Sequence, residues 1–184
     1  MAGCNTGLRH NYASLCSSTD ETLEEVLRNG VMPKFDDVMG YEYRGWNTPF
    51  FASWVGILRF KKGFFWDTGA GGRPRGYNKN IEPGKITELW QEKGPGGKSA
   101  PFGFYEIQPQ LEVAGSPYPN SILLDYNCPR NLAVDPTKLL RDYVVQVHAG
   151  DPTLLLGKAY LALPGDPAIS FFILERVGES VVPA

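Results

Sequence analysis

Residues 143–177 read YVVQVHAGDPTLLLGKAYLALPGDPAISFFILERV. Three runs rich in aliphatic, β-branched and aromatic residues, at 143–148, 153–163 and 168–177, are separated by two short clusters of Gly, Asp and Pro. Runs of this kind between turn residues predict strands. Connections this short make the strands antiparallel neighbours, because a parallel crossover needs a dozen residues or more. The chain therefore ends in an antiparallel meander.

The same texture extends upstream to Gly40. Further strands are predicted at 41–47, 52–60, 63–67, 85–91, 102–108 and 121–127, with Gly/Pro-rich loops at 68–76, 93–97 and 115–119. Asp135 caps a single helical turn over 136–140. Some eight or nine strands in about 140 residues must close into a barrel or pack as a sandwich. Before Gly40 the pattern is helical. The segment to Cys16 reads as a loose arm. Ser18 with Glu21 forms a capping box, Leu23, Val26 and Leu27 form an apolar stripe, and Gly30 ends the helix in a left-handed turn. Pro33 opens a second short turn that runs through Val38 and is closed by Gly40. The expected organisation is one domain overall: an N-terminal arm and helix (1–39) packed on a mainly β, antiparallel barrel (40–184). No internal repeat or linker divides it.

Hydrophobic residues make up 42% of the 184 and charged residues 21%, which fits a globular chain with a real core. The net charge of -2 leaves no concentrated basic surface for nucleic acid. The densest basic cluster, Arg59-Phe60-Lys61-Lys62, reads as a strand end and a solvated turn. No apolar run is long enough for a membrane-spanning helix, and residues 1–18 lack the apolar core of a signal peptide. Cys4, Cys16 and Cys128 make no disulfide framework, so a cytoplasmic location is expected. His10 and His148 are far apart and no zinc spacing exists; neither a metal nor another cofactor is expected.

Several motifs together resemble a known group. Leu123-Leu124-Asp125-Tyr126-Asn127 is followed by Pro129 and Asn131, then by Leu140-Arg141-Asp142-Tyr143-Val144-Val145, Leu156-Gly157-Lys158-Ala159-Tyr160-Leu161 and Phe171-Phe172-Ile173-Leu174-Glu175. Upstream stand Gly45-Trp46-Asn47 and Gly76-Tyr77-Asn78. In this order, over residues 40–176, the chain resembles a group of uncharacterised bacterial and fungal calycin-like proteins, the lipocalin-like barrels. The resemblance implies a barrel with an interior pocket and carries no assigned reaction. The wider class holds both carriers of apolar ligands and enzymes that use neither metals nor coenzymes.

Candidate site residues follow from the strands. Asp125 interrupts the apolar run Ile122-Leu123-Leu124-Asp125-Tyr126, so an inward carboxylate paired with Arg44 or Arg141 is expected. Trp46 and Trp54 would wall a pocket, with Arg44, Tyr105 and Asp125 fixing a ligand's polar end. The leading expectation is binding of one small, largely apolar or amphipathic molecule inside the barrel. The alternative is a cofactor-independent cyclase, isomerase or lyase in which Asp125, with Tyr105 or His148, moves a proton. A third class is a structural module whose barrel is filled by its own side chains. Asp67-Thr68-Gly69 resembles an aspartic-protease turn, which would need a homodimer to supply the second carboxylate. The bland reading, a strand ending in a glycine turn, is preferred. The glycine-rich stretch 69–76 is read as a barrel-mouth loop rather than an anion cradle, since no helix follows it.

Overall fold

The computed structural model describes residues 9–48, 58–82, 84–86, 88, 90–111 and 113–180. Eight strands follow one another: β1 Tyr41–Asn47, β2 Arg59–Asp67, β3 Arg73–Lys79, β4 Phe102–Pro109, β5 Ile122–Asp125, β6 Leu140–His148, β7 Asp151–Leu161 and β8 Ala168–Glu179. Each pairs antiparallel with the next, and β8 pairs back with β1, closing a barrel. A mainly β lipocalin-like barrel with a small helical segment is what the sequence predicts. The tight turns are those of the quoted stretch. His148 pairs with Asp151 across Ala149-Gly150, and Gly150 takes φ +78°.

Strands β6–β8 are apolar on both faces, for two different reasons. Val144, Leu155, Phe172 and Leu174 point into the barrel. Their neighbours Val145, Leu154, Leu156, Phe171 and Ile173 face outward and are covered by Tyr12, Leu15, Leu23 and Leu27. Those four residues come from α1 (Tyr12–Cys16) and α2 (Asp20–Asn29).

The N-terminal reading needs three corrections. The stretch to Cys16, expected as a loose arm, contains α1, whose cap Asn11 exchanges hydrogen bonds with Ser14. The cap of α2 is Thr19 rather than Ser18, because Ser18 Oγ is spent on the Ser14 carbonyl. Gly30 is extended (φ -64°), not left-handed. Its glycine serves close approach instead: a Cβ there would stand 2.5 Å from Val145 Cγ2. A third helical turn, α3 (Phe35–Val38), and Gly40 at φ +82° follow as expected.

Three strand readings change as well. Residues 73–76 belong to a wall strand, β3, rather than to a loop; the connection is a 3-10 turn at Thr68–Ala70 followed by Gly71 and Gly72, both at positive φ. The runs 52–60 and 63–67 do not form two strands, because β2 passes unbroken through Gly63; residues 49–57 lie outside the description. None of the described residues in 85–91 is in a strand, and the pairing found beside them is the isolated bridge Ile81–Glu92.

The barrel interior is filled by rings lying on glycines. Gly45 faces Phe60, Gly76 faces Tyr105 and Gly157 faces Phe172, each pair directly opposite across a ladder. A Cβ on any of the three would sit 2.1–2.3 Å from the opposing ring. One end is also corked. Met32, Phe35, Val38 and Met39 pack on the interior cluster, while Tyr43 donates to the Pro152 carbonyl at 2.9 Å. Arg176 ties Asp37 to Tyr43 at the same end.

Candidate functional site

At the end opposite the cork the packing stops short. A cavity of about 90 Å³ opens there, walled by Phe60, Phe102, Leu140 and Phe172. Its polar lining is Lys62, Asn78, Tyr126 and Asp142, with Asn47, Thr137 and Ser170 on the wall. Strand alternation places these groups. Phe60, Lys62 and Phe64 share the inner face of β2, and Asp142 shares that of β6 with Val144. Asn78 is the cross-strand partner of Lys62. Tyr126 follows β5 and is held by Asn131, which bonds the Tyr126 carbonyl and both backbone groups of Phe104.

Lys62 is 1% exposed, although its basic neighbourhood reads as a solvated turn in the sequence. Its Nζ donates to Asn78 Oδ1 at 3.1 Å and to the Tyr126 hydroxyl, and lies 3.2 Å from Asp142 Oδ2. Those partners use all three protons of an ammonium. The Tyr126 hydroxyl in turn donates to Asp142 Oδ2 at 3.0 Å. Rings of Phe60, Tyr105, Tyr126 and Phe172 surround the nitrogen at 4.8–5.4 Å from their centres. Loss of water dominates the electrostatics. It pushes the Lys62 ammonium below its ordinary range against the pull of Asp142. It raises the Asp142 carboxyl against the pull of Lys62 and Tyr126. Both shifts favour moving one proton from lysine to aspartate. Ser170 is the remaining polar wall residue that stands out: it is 7% exposed and its Oγ is buried with no hydrogen-bond partner.

Of the described residues singled out from the sequence, all but one lie elsewhere. Tyr105 is inside the barrel below the cavity, its ring centre 4.8 Å from Lys62 Nζ and its hydroxyl donating to the Gly63 carbonyl at 3.0 Å. Arg44 is on the outer wall, bonded to Glu175 at 2.7 Å and lying over the Tyr12 ring. Trp46 packs in the outer cluster beneath Arg59. Asp125 is paired with Arg141 at 3.0 Å, as one of the two expected partners. It faces outward, because Leu124 holds the inner position. His148 sits toward the corked end with Nε2 2.7 Å from the His10 carbonyl. Trp54 falls outside the described residues. Among the described residues, the structure thus brings Tyr105 to Lys62 and does not gather Arg44, Trp46, Asp125 and His148 around the cavity.

The protease-like turn is a structural ion-pair site. Asp67 binds Arg75, with Arg130 at 3.8 Å, and Arg75 also bonds Glu106 at 2.8 Å. Burial alone would raise the Asp67 carboxyl, but the two arginines more than offset it and hold it below the ordinary range. The same balance lowers Glu24 through Lys158 and Tyr118, and Glu92 through the Ser99 N–H, Lys79 and Lys61. A carboxyl depressed in the folded state contributes stability that is present above its unfolded pKa and lost as pH falls through the folded one. The urea midpoint is therefore expected to fall steeply once pH drops below roughly 4. Asp67→Asn is expected to flatten part of that slope; an unchanged acid limb would show that Asp67 is not stabilised as a carboxylate.

Among the described residues, no helix is long and apolar enough to cross a membrane, and no group of three or more His, Cys, Asp or Glu is placed to hold a metal ion. The fold and the cavity together define a lipocalin-like barrel with a charge-balanced polar cluster at its open end. No family model, curated protein or solved structure matches the chain.

Proposed function

We propose that this barrel binds a small amphipathic molecule at its open end, with an uncharged oxygen-bearing head in the cavity. The observation that carries the reading is a cavity in an otherwise filled barrel, lined by a buried ion pair and by an unpartnered buried hydroxyl, Ser170 Oγ. A buried polar atom without a partner needs an explanation, and a ligand supplies one. Head-group charge follows from the ion pair. Lys62 and Asp142 cancel, so a neutral head adds no uncompensated buried charge, whereas an anion or a cation would. Size follows from the volume. About 90 Å³ is well under the ~300 Å³ at the low end of drug-sized pockets, so the head and a few carbons fit inside. The rest of the molecule would lie over the mouth, where Leu139 and Leu163 are each 44% exposed and Leu139 is tied to Ala162 by a backbone hydrogen bond.

This reading keeps the carrier expected from the sequence and moves its polar contacts from Arg44 and Asp125 to Lys62, Asn78 and Ser170. A reducing location suits it: Cys128 is fully buried, and burial pushes the Cys16 thiol up to about 12, so Cys16 stays protonated. Ligand-observed NMR with butan-1-ol and butyrate tests the proposal. Saturable binding of the alcohol, weaker binding of the carboxylate, and loss of both in Ser170→Phe are expected. Equal binding of alcohol and carboxylate, or binding untouched by filling the cavity, would remove its basis. Native mass spectrometry of freshly purified protein should show a co-purified neutral compound.

A further inference from the structure

We propose that Lys62 captures small aldehydes or ketones in this cavity as a reversible imine. The inference rests on the cavity being the binding site, as argued above, and adds a covalent step to it. Three observations converge. The Lys62 amine lies inside an apolar-walled cavity, shielded from bulk water. A carboxyl oxygen of Asp142 stands 3.2 Å from the amine. The Tyr126 hydroxyl bridges the two, accepting from Lys62 and donating to Asp142. Amine nucleophiles are activated by such desolvation, and an adjacent acid is what carbonyl addition requires.

The chemistry balances within the cluster. Burial lowers the ammonium and raises the carboxyl, which eases transfer of one proton across the 3.2 Å ion pair from Lys62 to Asp142 and so supplies a neutral amine for attack. Two N–H groups then suffice for Asn78 and Tyr126, and the lone pair, left facing the Asp142 hydroxyl, can bond carbon once that hydroxyl turns to the carbonyl oxygen. Attack forms the N–C bond and breaks the carbonyl π bond, while Asp142 passes its proton to the carbonyl oxygen. The carboxylate next removes a proton from nitrogen, giving a neutral carbinolamine. Return of that proton to the hydroxyl breaks the C–O bond and expels water. The product is an iminium on Lys62 facing the Asp142 carboxylate. One amine, one carboxylic acid and one carbonyl compound have become one iminium, one carboxylate and one water. The cluster is neutral before and after, so no step leaves an isolated buried charge. Hydrolysis runs the same path backward.

Ser170 fits the same picture. Its Oγ has no protein partner and shares the cavity, so it can bond the carbonyl oxygen before attack. Ala159, directly opposite it on β7, keeps that part of the wall small. Candidate ligands are short carbonyl compounds with an apolar body, matched to Phe60, Phe102 and Phe172.

Butanal with sodium cyanoborohydride tests the inference on the full wild-type chain. Reduction converts an imine into a stable butyl amine, which peptide mapping by mass spectrometry assigns to a residue. Lys85, whose side chain is 83% exposed, is the internal reference. In the folded protein Lys62 is expected to label faster than Lys85, by about tenfold or more, because a buried amine freed of its proton is the stronger nucleophile. Butan-1-ol, which occupies the cavity but forms no imine, should suppress labelling of Lys62 and spare Lys85. Ser170→Phe should do the same. Labelling of Lys85 without Lys62, in protein that binds butan-1-ol, overturns the imine and leaves the binding site standing. Failure of both butan-1-ol binding and Lys62 labelling overturns both. Lys62 labelling that neither butan-1-ol nor Ser170→Phe reduces overturns the cavity route.

Discussion

Lys62→Met is expected to lower stability at neutral pH by about 3–5 kcal/mol, the cost of removing one partner from a buried ion pair. The loss comes from what is left behind. Asp142 is 3% exposed, and without Lys62 its Oδ2 keeps only the Tyr126 hydroxyl. An unpaired buried carboxylate neutralises by taking up a proton. Its pKa in the folded variant is then raised further, so the loss relative to wild type should be smallest at acid pH and grow as pH rises through the new folded value. Both proteins keep the acid limb set by Asp67, Glu24 and Glu92. Methionine itself is not the problem, since Phe60, Tyr105, Tyr126 and Phe172 already ring the position. The double variant Lys62→Met, Asp142→Leu should therefore recover most of the loss, as replacing a whole buried pair by apolar groups commonly does. Urea unfolding of wild type, Lys62→Met and the double variant across pH measures this. A single variant within about 1 kcal/mol of wild type, with an unchanged pH profile, would show that the pair exchanges readily with water.

The same residue shows how far the sequence could be read. Closed β architecture is legible from 143–177 because turn residues and apolar runs there leave only tight antiparallel hairpins. Strand β3 is not legible, because Arg73, Pro74, Arg75 and Gly76 have turn composition. Their extended form comes from partners distant in the chain: Asp67 and Glu106 for Arg75, and Tyr105 for Gly76. Lys62 hides for a related reason. Arg59, Lys61 and Lys62 look like one charge cluster, yet period two separates them, with Phe60, Lys62 and Phe64 on one face. Asp125 and Asp142 are the matching case. Both interrupt apolar strands, and only the phase of alternation tells them apart. Leu124 takes the inner place in β5 and sends Asp125 outward, whereas Val144 does the same in β6 and draws Asp142 in. That phase is set by closure of the barrel, which no local window contains.

Closure also decides which glycines tolerate a side chain. In a strand, Gly→Ala should help by about 0.5–1 kcal/mol through backbone entropy alone. At Gly76 the opposite is expected, with a loss of about 3 kcal/mol, the upper end for overpacking. A Cβ there would meet Tyr105 Cε2 at 2.2 Å. That ring has nowhere to go. It is fully buried, its hydroxyl is anchored on the Gly63 carbonyl, and Phe64 and Tyr126 press it from 6.0 and 5.2 Å between ring centres. Gly157 meets a ring just as closely, with Phe172 Cζ at 2.1 Å. Yet Phe172 borders the open cavity and can shift into it. Gly157→Ala is therefore expected to cost only about 1 kcal/mol while closing the cavity and abolishing butan-1-ol binding. Tyr105→Leu should remove the clash at Gly76, so adding Gly76→Ala to that variant should be close to neutral, the two changes coupling because they touch. Unfolding free energies of these variants, with butan-1-ol titrations on Gly157→Ala, measure both halves. Equal losses at Gly76 and Gly157 would mean that the space beside Phe172 is not free for a ring to enter, and hence not free for a ligand.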